Sequence, residues 1–446
     1  MSNLPRKSIE PMADAVGEPP RNLQEFLSLF RWDEPAVRDG LQQYVARRHA
    51  HPESVGAIDE TSFAKKGNKT ACVQRQHCGA VGKTENCVVS VHLGYATPEF
   101  YSLIDGDVYL PEKTWHNDRQ RCREAGIPDD VVYRSKWQMA LEQYRRAVAN
   151  GMRFTWLTFD EGYGGKGPFL QALEALGQNY VAEVPVSFMA WTRRPAVLYR
   201  AAARDRKHGR RRRYPRLKVK NNPKVEVRNI LTYSPRMRKN AWQDYYVKDG
   251  SKGPMVWQAK RLIIYLADEH GLPTRPYHLL VARNALDHNE VKYFISNAPE
   301  QTSVETLLRV AFTRWIIERA FEDSKTKLGM DHFEVRKFLS IQRHLILSCL
   351  SHVFLSEFCL KFRGEKSGPD GVPSAHSHSN AGPAVGSRWP LFPQVCRIDQ
   401  CAIGVNATPQ RQGGSQPPTS DYCPFTCHRN QFEKHSQMSL ETLVAL

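Results

Sequence analysis

The stretch FTWLTFDEGYGG, residues 154–165, is an apolar, β-prone run that closes on an acid, Asp160, and opens into a glycine-rich loop. Downstream, Pro168 to Leu176 has helical spacing and stops at Gly177, and Tyr180 to Val184 reads as another strand. Strand, helix, strand in that order is the unit of an α/β sheet. Upstream, Lys136 to Asn150 carries Trp137, Ala140, Leu141, Tyr144 and Val148 at helical spacing and ends at Asn150-Gly151. Further back, Val55-Gly-Ala-Ile-Asp59 is a second apolar run closing on an acid. Val73 to His77, Cys87 to Leu93 and Tyr101 to Tyr109 then form a meander of strands. Residues 51–184 therefore predict the first part of a mixed α/β sheet. Asp59 and Asp160 fall at strand ends, where side chains of such sheets project into a shared crevice.

The second informative stretch is AFTRWIIERAFEDSKTKLGMDHFEVR, Ala311 to Arg336. It lacks Pro, and its one Gly, Gly329, falls where a helix would end. Val310, Ile317, Phe321 and Leu328 recur at helical spacing. With Arg314 set at zero, an unbroken helix puts Glu318 at about 40° and Lys325 at about 20°. Those charges then form a row beside the apolar stripe. Glu322, at about 80°, is expected nearer water, and Asp323, at about 180°, is expected to face solvent. A surface helix laced with ion pairs would read the same way in isolation. What lifts the row above that reading is the pair of strand-end acids upstream.

The 446 residues suffice for one large domain with appendages or for two domains, and 41% hydrophobic residues support a proper core. A net charge of +17 points to a polyanionic partner, first of all nucleic acid. No membrane partner is expected, since no stretch reads as approaching the roughly 18 apolar residues of a spanning helix. The N-terminus has no apolar signal core, so the chain is expected to be soluble and cytoplasmic, associated with the nucleoid when bound to DNA. Ten scattered cysteines read as reduced thiols.

Residues 1–50 read as a short helical region, either a DNA-contacting module or a brace for the main domain. Leu23, Phe26, Leu27 and Phe30 fit one helix, and Val37, Leu41, Tyr44 and Val45 another. Residues 185–299 read as a basic, β-rich insertion, with short strands at Lys224–Arg228, Leu262–Leu266, His278–Ala282 and Val291–Ser296. Its run Arg210, Arg211, Arg212 and Arg213 suits DNA phosphates. Residues 300–362 return to the core with the charged helix and a further helix from Leu339 to Leu360. Residues 363–446 turn to Gly, Pro, Ser, His, Asn and Gln and are expected to be largely disordered. Within them Cys396, Cys401, Cys423, Cys427 and His428 have spacings too loose for a zinc site.

Asp59, Asp160 and Glu318 are the candidate catalytic and metal-holding residues. Three carboxylates suit Mg²⁺ or Mn²⁺, because hard cations choose oxygen ligands. Such ions activate a water or hydroxyl and stabilise the leaving oxygen of a phosphodiester. Arg314 and Lys325 are candidate DNA phosphate ligands. Trp242 and Trp257 are candidates for stacking on an unpaired base, against the alternative that they pack in a core.

The segments IDETSFAKKG (58–67), VQRQHCGAVGKTENC (73–87), LIDGDVYLPEKTWHNDRQRCREAGIP (103–128), LTFDEGYGG (157–165) and RWIIERAFEDSK with GMDHFEVR (314–336) resemble insertion-sequence transposases of the DDE superfamily. The likeness is to the branch with a β-rich insertion before the Glu, and it runs from about Arg6 to Leu360. It implies a ribonuclease H-like core that uses Mg²⁺ to cut and join DNA at transposon ends and in target DNA. By motif, Asp59, Asp160 and Glu318 match the triad, and Arg314 and Lys325 match the Arg and Lys of a Tyr-Arg-Glu-Lys signature. The Tyr position of that signature is Ala311 here. A homodimer in the DNA complex is the expected assembly. The alternative function is a catalytically silent, DNA-binding remnant of a transposase. A glycosidase using paired acids is disfavoured, since a neutral sugar gives no reason for the positive charge.

Overall fold

The computed structural model describes residues 4–200, 213–250 and 253–365. Arg210, Arg211, Arg212 and the Gly/Pro/Ser-rich tail from residue 366 onward, with its Cys396, Cys401, Cys423, Cys427 and His428, lie outside them, whereas residues 363–365, expected in that tail, close the last described helix. The described residues fall into two compact units, one ending at Asp33 and one beginning at Glu34.

The first unit contains α1 (Ile9–Val16) and α2 (Pro20–Ser28). Helix α1 stops because Gly17 takes up a left-handed conformation, φ 71°, and the amides of Gly17 and Glu18 return to the carbonyls of Asp14 and Ala13. Pro20 starts α2, where its missing N–H costs nothing. Leu23 and Leu27, one turn apart, are its buried residues.

The second unit begins with α3 (Glu34–Arg48) and β1 (Val55–Ala64), followed by β2 (Gln74–Cys78), β3 (Lys83–Ala96) and β4 (Tyr101–Val108). A π-helical turn at Glu112–His116 leads to α4 (Arg119–Glu124) and α5 (Lys136–Ala149). Then come β5 (Trp156–Phe159), α6 (Glu161–Gly164), α7 (Gly167–Ala175) and β6 (Tyr180–Glu183). The next segment holds the short β7 (Met189–Ala190), β8 (Val197–Leu198), β9 (Arg216–Leu217) and β10 (Val225–Glu226), with α8 (Val227–Tyr233) and α9 (Pro235–Lys239). The long β11 (Gln243–Gly250), β12 (Gly253–Ala267), β13 (Pro273–Asn284) and β14 (Val291–Ser296) follow. Helices α10 (Val304–Thr313), α11 (Trp315–Thr326) and α12 (Phe338–Glu365) complete the unit.

One sheet runs through the unit in the order β11-β12-β13-β14-β6-β5-β1-β3-β2, and β4 also pairs with β3. Strands β1 and β3 are antiparallel, while β5 and β6 run parallel to β1. An antiparallel meander followed by two parallel strands, ordered β6-β5-β1-β3-β4, is the topology of a ribonuclease H-like core. The sheet does not stop there. Strand β14 pairs with β6 (Phe294 opposite Glu183), so residues from the segment between β6 and α10 return as further strands of the same sheet. A cluster of Trp156, Val181, Leu280 and Phe294 is buried with Leu307, Leu308, Val310 and Ala311 of α10.

Four sequence expectations need correction. The run Lys224–Arg228 alternates like a strand, but only Val225 and Glu226 pair; from Val227 the chain is helical, with Val227 and Ile230 buried on one side. The helix from Ala311 is interrupted at Arg314, where α10 ends and α11 begins. Asp323 is 4% exposed, not solvent-facing. It accepts from Tyr101 Oη at 2.6 Å and pairs with Lys327 at 2.8 Å, because α11 packs on β4 as well as on β1. Lastly, Phe338–Phe362 in α12 is long and apolar enough, by length and composition, to cross a membrane. In this fold it lies against β4 and buries Ile341, Leu345, Cys349 and Val353 in the core.

Candidate active site

In the parallel part of the sheet, Ile58 is level with Phe159, and Phe159 with Ala182. One residue further on, Asp59, Asp160 and Glu183 therefore stand in a row across β1, β5 and β6. Ile58, Phe159 and Ala182 point into the main core. Strand alternation turns their successors to the opposite face.

The local sequence fixes this row. Asp160 caps α6: its Oδ1 accepts from the amides of Gly162 at 2.9 Å and Tyr163 at 3.3 Å, a role that suits a short acidic side chain. Gly164 lies against the end of β6, where a Cβ would come within 1.9 Å of the Glu183 carbonyl oxygen. Asp59 Oδ1 accepts from the Glu60 amide at 2.8 Å.

Arg314, at the joint between α10 and α11, gathers the acids. Its Nη2 is 2.8 Å from Glu318 Oε1, its Nη1 donates to Asp59 Oδ2 at 3.1 Å, and its Nε is 3.8 Å from Glu183 Oε2. The side chains of Arg314, Asp59 and Glu183 are 18%, 13% and 17% exposed, whereas Glu318 is 44% exposed and forms the open edge. Burial, reinforced by the charge of Asp160, pushes Asp59 up to about 7 against the pull of Arg314. Burial also raises Asp160, opposed by its hydrogen bond from Tyr163 and by Arg314. Arg314 itself is driven up: burial works against its charge, but Glu318, Asp59, Glu183 and Asp160 outweigh it.

Among the described residues, no group of three or more His, Cys, Asp or Glu side chains is drawn together closely enough to hold a metal ion. The guanidinium stands among the carboxylates instead, a resident cation in an all-oxygen donor set. Such a set fits Mg²⁺ or Mn²⁺ rather than a softer metal.

The remaining expected residues are placed as follows. Lys325 Nζ lies 3.4 Å from the Ser62 carbonyl and 5.7 Å from the Phe63 ring centre, further along β1 rather than beside Glu318. Burial lowers its pKa. Trp257 is 5% exposed and packs on Phe312 with ring centres 4.6 Å apart, so its faces are taken up in the core. Trp242 lies under Arg283 at 4.2 Å and Lys260 at 4.8 Å. Arg213 is exposed.

Two residues near the acids were not anticipated. Glu183 closes β6 as Asp160 follows β5, so the strand-end rule that picked out Asp59 and Asp160 also singles it out. Tyr163, three residues after Asp160, is 3% exposed, and its hydroxyl has no well-formed hydrogen bond. Burial, and then the charges of Glu60, Asp59 and Asp160, push its pKa well above the phenol range.

Away from the row, a buried charge network secures β4. Arg38 Nη1 is 2.9 Å from Asp107 Oδ1, and Arg146 Nη1 is 2.8 Å from Asp105 Oδ2. Burial works against charge at Asp107, but Arg38 and Arg146 prevail and hold it below the usual carboxylate range.

Comparison with known proteins bears on this arrangement. The probable transposase for insertion sequence element IS701 from Microchaete diplosiphon is 29% identical over 186 residues, 41% of this chain. That match spans 46% of the relative's length. Among solved structures, the NurA nuclease from Sulfolobus solfataricus is similar over 72% of this chain and 98% of its own, at 11% identity. Its TM-score of 0.27 is too low to bear on the fold, which rests on strand order. The profile of the DDE superfamily endonuclease family matches residues 1–254, a segment that contains Asp59, Asp160 and Glu183 and ends before α10. With more than half its length matched, the chain belongs to the DDE superfamily endonucleases.

Proposed function

We propose that this chain is a transposase that cleaves phosphodiester bonds at transposon ends and transfers the strands to target DNA, with Mg²⁺ or Mn²⁺ as cofactor. The observation that carries this reading is the half-buried Arg314 guanidinium paired with Asp59, Glu183 and Glu318, with the charge of Asp160 acting on Asp59 beside it. Asp59, Asp160 and Glu318 would hold the cation. When bound, it supplies positive charge to the attacking and leaving oxygens of a phosphodiester. The chain's own groups do the positioning. The Gly162 and Tyr163 amides fix Asp160 Oδ1. Burial raises the Asp59 carboxyl, and positive charge held beside it would favour its ionised form. Glu318, on the open edge, is the acid nearest to incoming DNA. Arg314 and Lys325 supply cations for its phosphates, and the net charge of +17 favours a polyanion throughout. A cytoplasmic, nucleoid-bound protein that dimerises on DNA belongs to the same proposal.

The test is Glu318→Gln, which keeps the shape and removes the charge. It should abolish metal-dependent cleavage of supercoiled plasmid and of labelled duplex, with duplex binding and melting temperature held. Glu322, 63% exposed and paired only loosely with Arg319 at 3.9 Å, should tolerate the same change with little effect. An active Glu318→Gln protein sinks the assignment. A wild-type protein that binds duplex but never cuts it under any divalent ion is instead a DNA-binding remnant.

A further inference from the structure

Glu183 has an ordinary explanation: a cross-strand ion pair with Lys292 of β14, Nζ to Oε1 at 2.9 Å. That pairing does not account for its other oxygen, which faces Arg314 Nε at 3.8 Å. Nor does it account for its position, level with Asp59 and Asp160 on the face that carries the site. Its backbone is held as well, by the close approach of Gly164 on one side and by pairing with Phe294 on the other.

Arg314 presents a flat fork of five N–H donors. Each of its three nitrogens serves a different acid: Nη2 Glu318, Nη1 Asp59 and Nε Glu183. With all groups ionised, the carboxylates Asp59, Asp160, Glu183 and Glu318 face two cations, Arg314 and Lys292. Two negative charges are left over, the charge that one divalent ion balances.

We propose that Glu183 is a fourth carboxylate of the cation site, and that Arg314 is an internal cation which the divalent ion replaces on loading, so that its guanidinium is released for a DNA phosphate. The inference rests on the metal-dependent reading above. It adds a ligand outside the Asp59, Asp160 and Glu318 set, and it sets one side chain in competition with the cofactor.

Binding of Mn²⁺ to the full chain without DNA, followed by the loss of the free-ion electron paramagnetic resonance signal, tests this independently of cleavage. Glu183→Gln should weaken Mn²⁺ binding by about tenfold, the scale of losing one supporting group at a metal site. Arg314→Gln should tighten it by about threefold or more, because a competing positive charge is gone. Asp160→Asn is the reference variant and should bind Mn²⁺ far more weakly than wild type. If Asp160→Asn loses binding while Glu183→Gln and Arg314→Gln match wild type, the inference is overturned and the cation site stands. If Asp160→Asn also binds like wild type, the cation site itself is wrong and the inference falls with it. Should Glu183→Gln destabilise the fold by stranding Lys292, the double variant Glu183→Gln/Lys292→Met removes both partners and carries the same measurement.

Discussion

Gly164→Ala should disable the site from beneath without touching any acid. The backbone at Gly164 is not in a left-handed conformation, so alanine is acceptable there on conformational grounds. The obstacle is space. The new methyl would lie 1.9 Å from the Glu183 carbonyl oxygen and 3.0 Å from its carbon, whereas ordinary contact begins at 3.4 Å. Both neighbours are backbone, so α6 and the end of β6 must part by about 1.5 Å. Overpacking of this kind costs about 1–3 kcal/mol, and backbone on both sides puts the cost at the upper end. A misplacement of about 1 Å at reacting groups costs roughly a hundredfold in rate. Asp160 is tied to α6 by its capping bonds and Glu183 to β6, so the strain falls on the spacing of the acids. Gly167→Ala is the control. A Cβ there meets nothing within 4 Å, at the first position of α7, so it should be neutral or stabilise by up to about 1 kcal/mol. Melting curves and plasmid cleavage for the two variants side by side decide the matter. A Gly164→Ala protein with wild-type melting and cleavage would show that the close approach does not position the acids.

Asp323→Asn should destabilise by about 1–3 kcal/mol in urea unfolding, since Tyr101 and Lys327 both lose a charged, buried partner; an unchanged midpoint would restore the solvent-facing reading. Stability should also fall on acidification. Burial lowers His92, His344 and His352 from 6.5 to about 4, so between those values the folded chain binds fewer protons than the unfolded one. Their contribution is complete above about pH 6.5 and drains away toward pH 4, by up to about 3 kcal/mol each. A melting temperature that stays level from about pH 7 to pH 4.5 would contradict it.

Much of the core was legible because its strands are either long apolar runs or bounded by clear turns. Tyr101–Val108 and Val291–Ser296 fall within a residue of where the sequence put them. In the insertion, Lys-Val-Glu-Val-Arg alternates over too few residues to outweigh the helical spacing of Val227 and Ile230 that follows. The angles around the charged helix assumed an unbroken rod. Lys325 shares α11 with Glu318 but lies about 10 Å further along its axis, which sets it beside Ser62 rather than among the acids. Asp323 was misjudged because periodicity says which residues share a face, not how many neighbours the helix has. Here β4 covers a flank that the apolar stripe did not mark. Glu183 was readable by the same rule as Asp59 and Asp160. What the chain could not disclose is that Arg314 would lie among them, because that depends on how a joint between two helices meets strand ends remote in sequence.

The pairing of β6 with β14 has a consequence for the order in which the protein is made. Asp59, Asp160 and Glu183 leave the ribosome early, but Lys292 and Arg314 emerge over a hundred residues later. Until then the acids have neither of these cations, and one edge of β6 waits for a strand that has not been synthesised. Closing so long a loop is slow, and an open strand edge invites other chains. The last stage of folding and the assembly of the site are thus one event, and a nascent chain halted in the insertion carries the acids without the groups that make them a site.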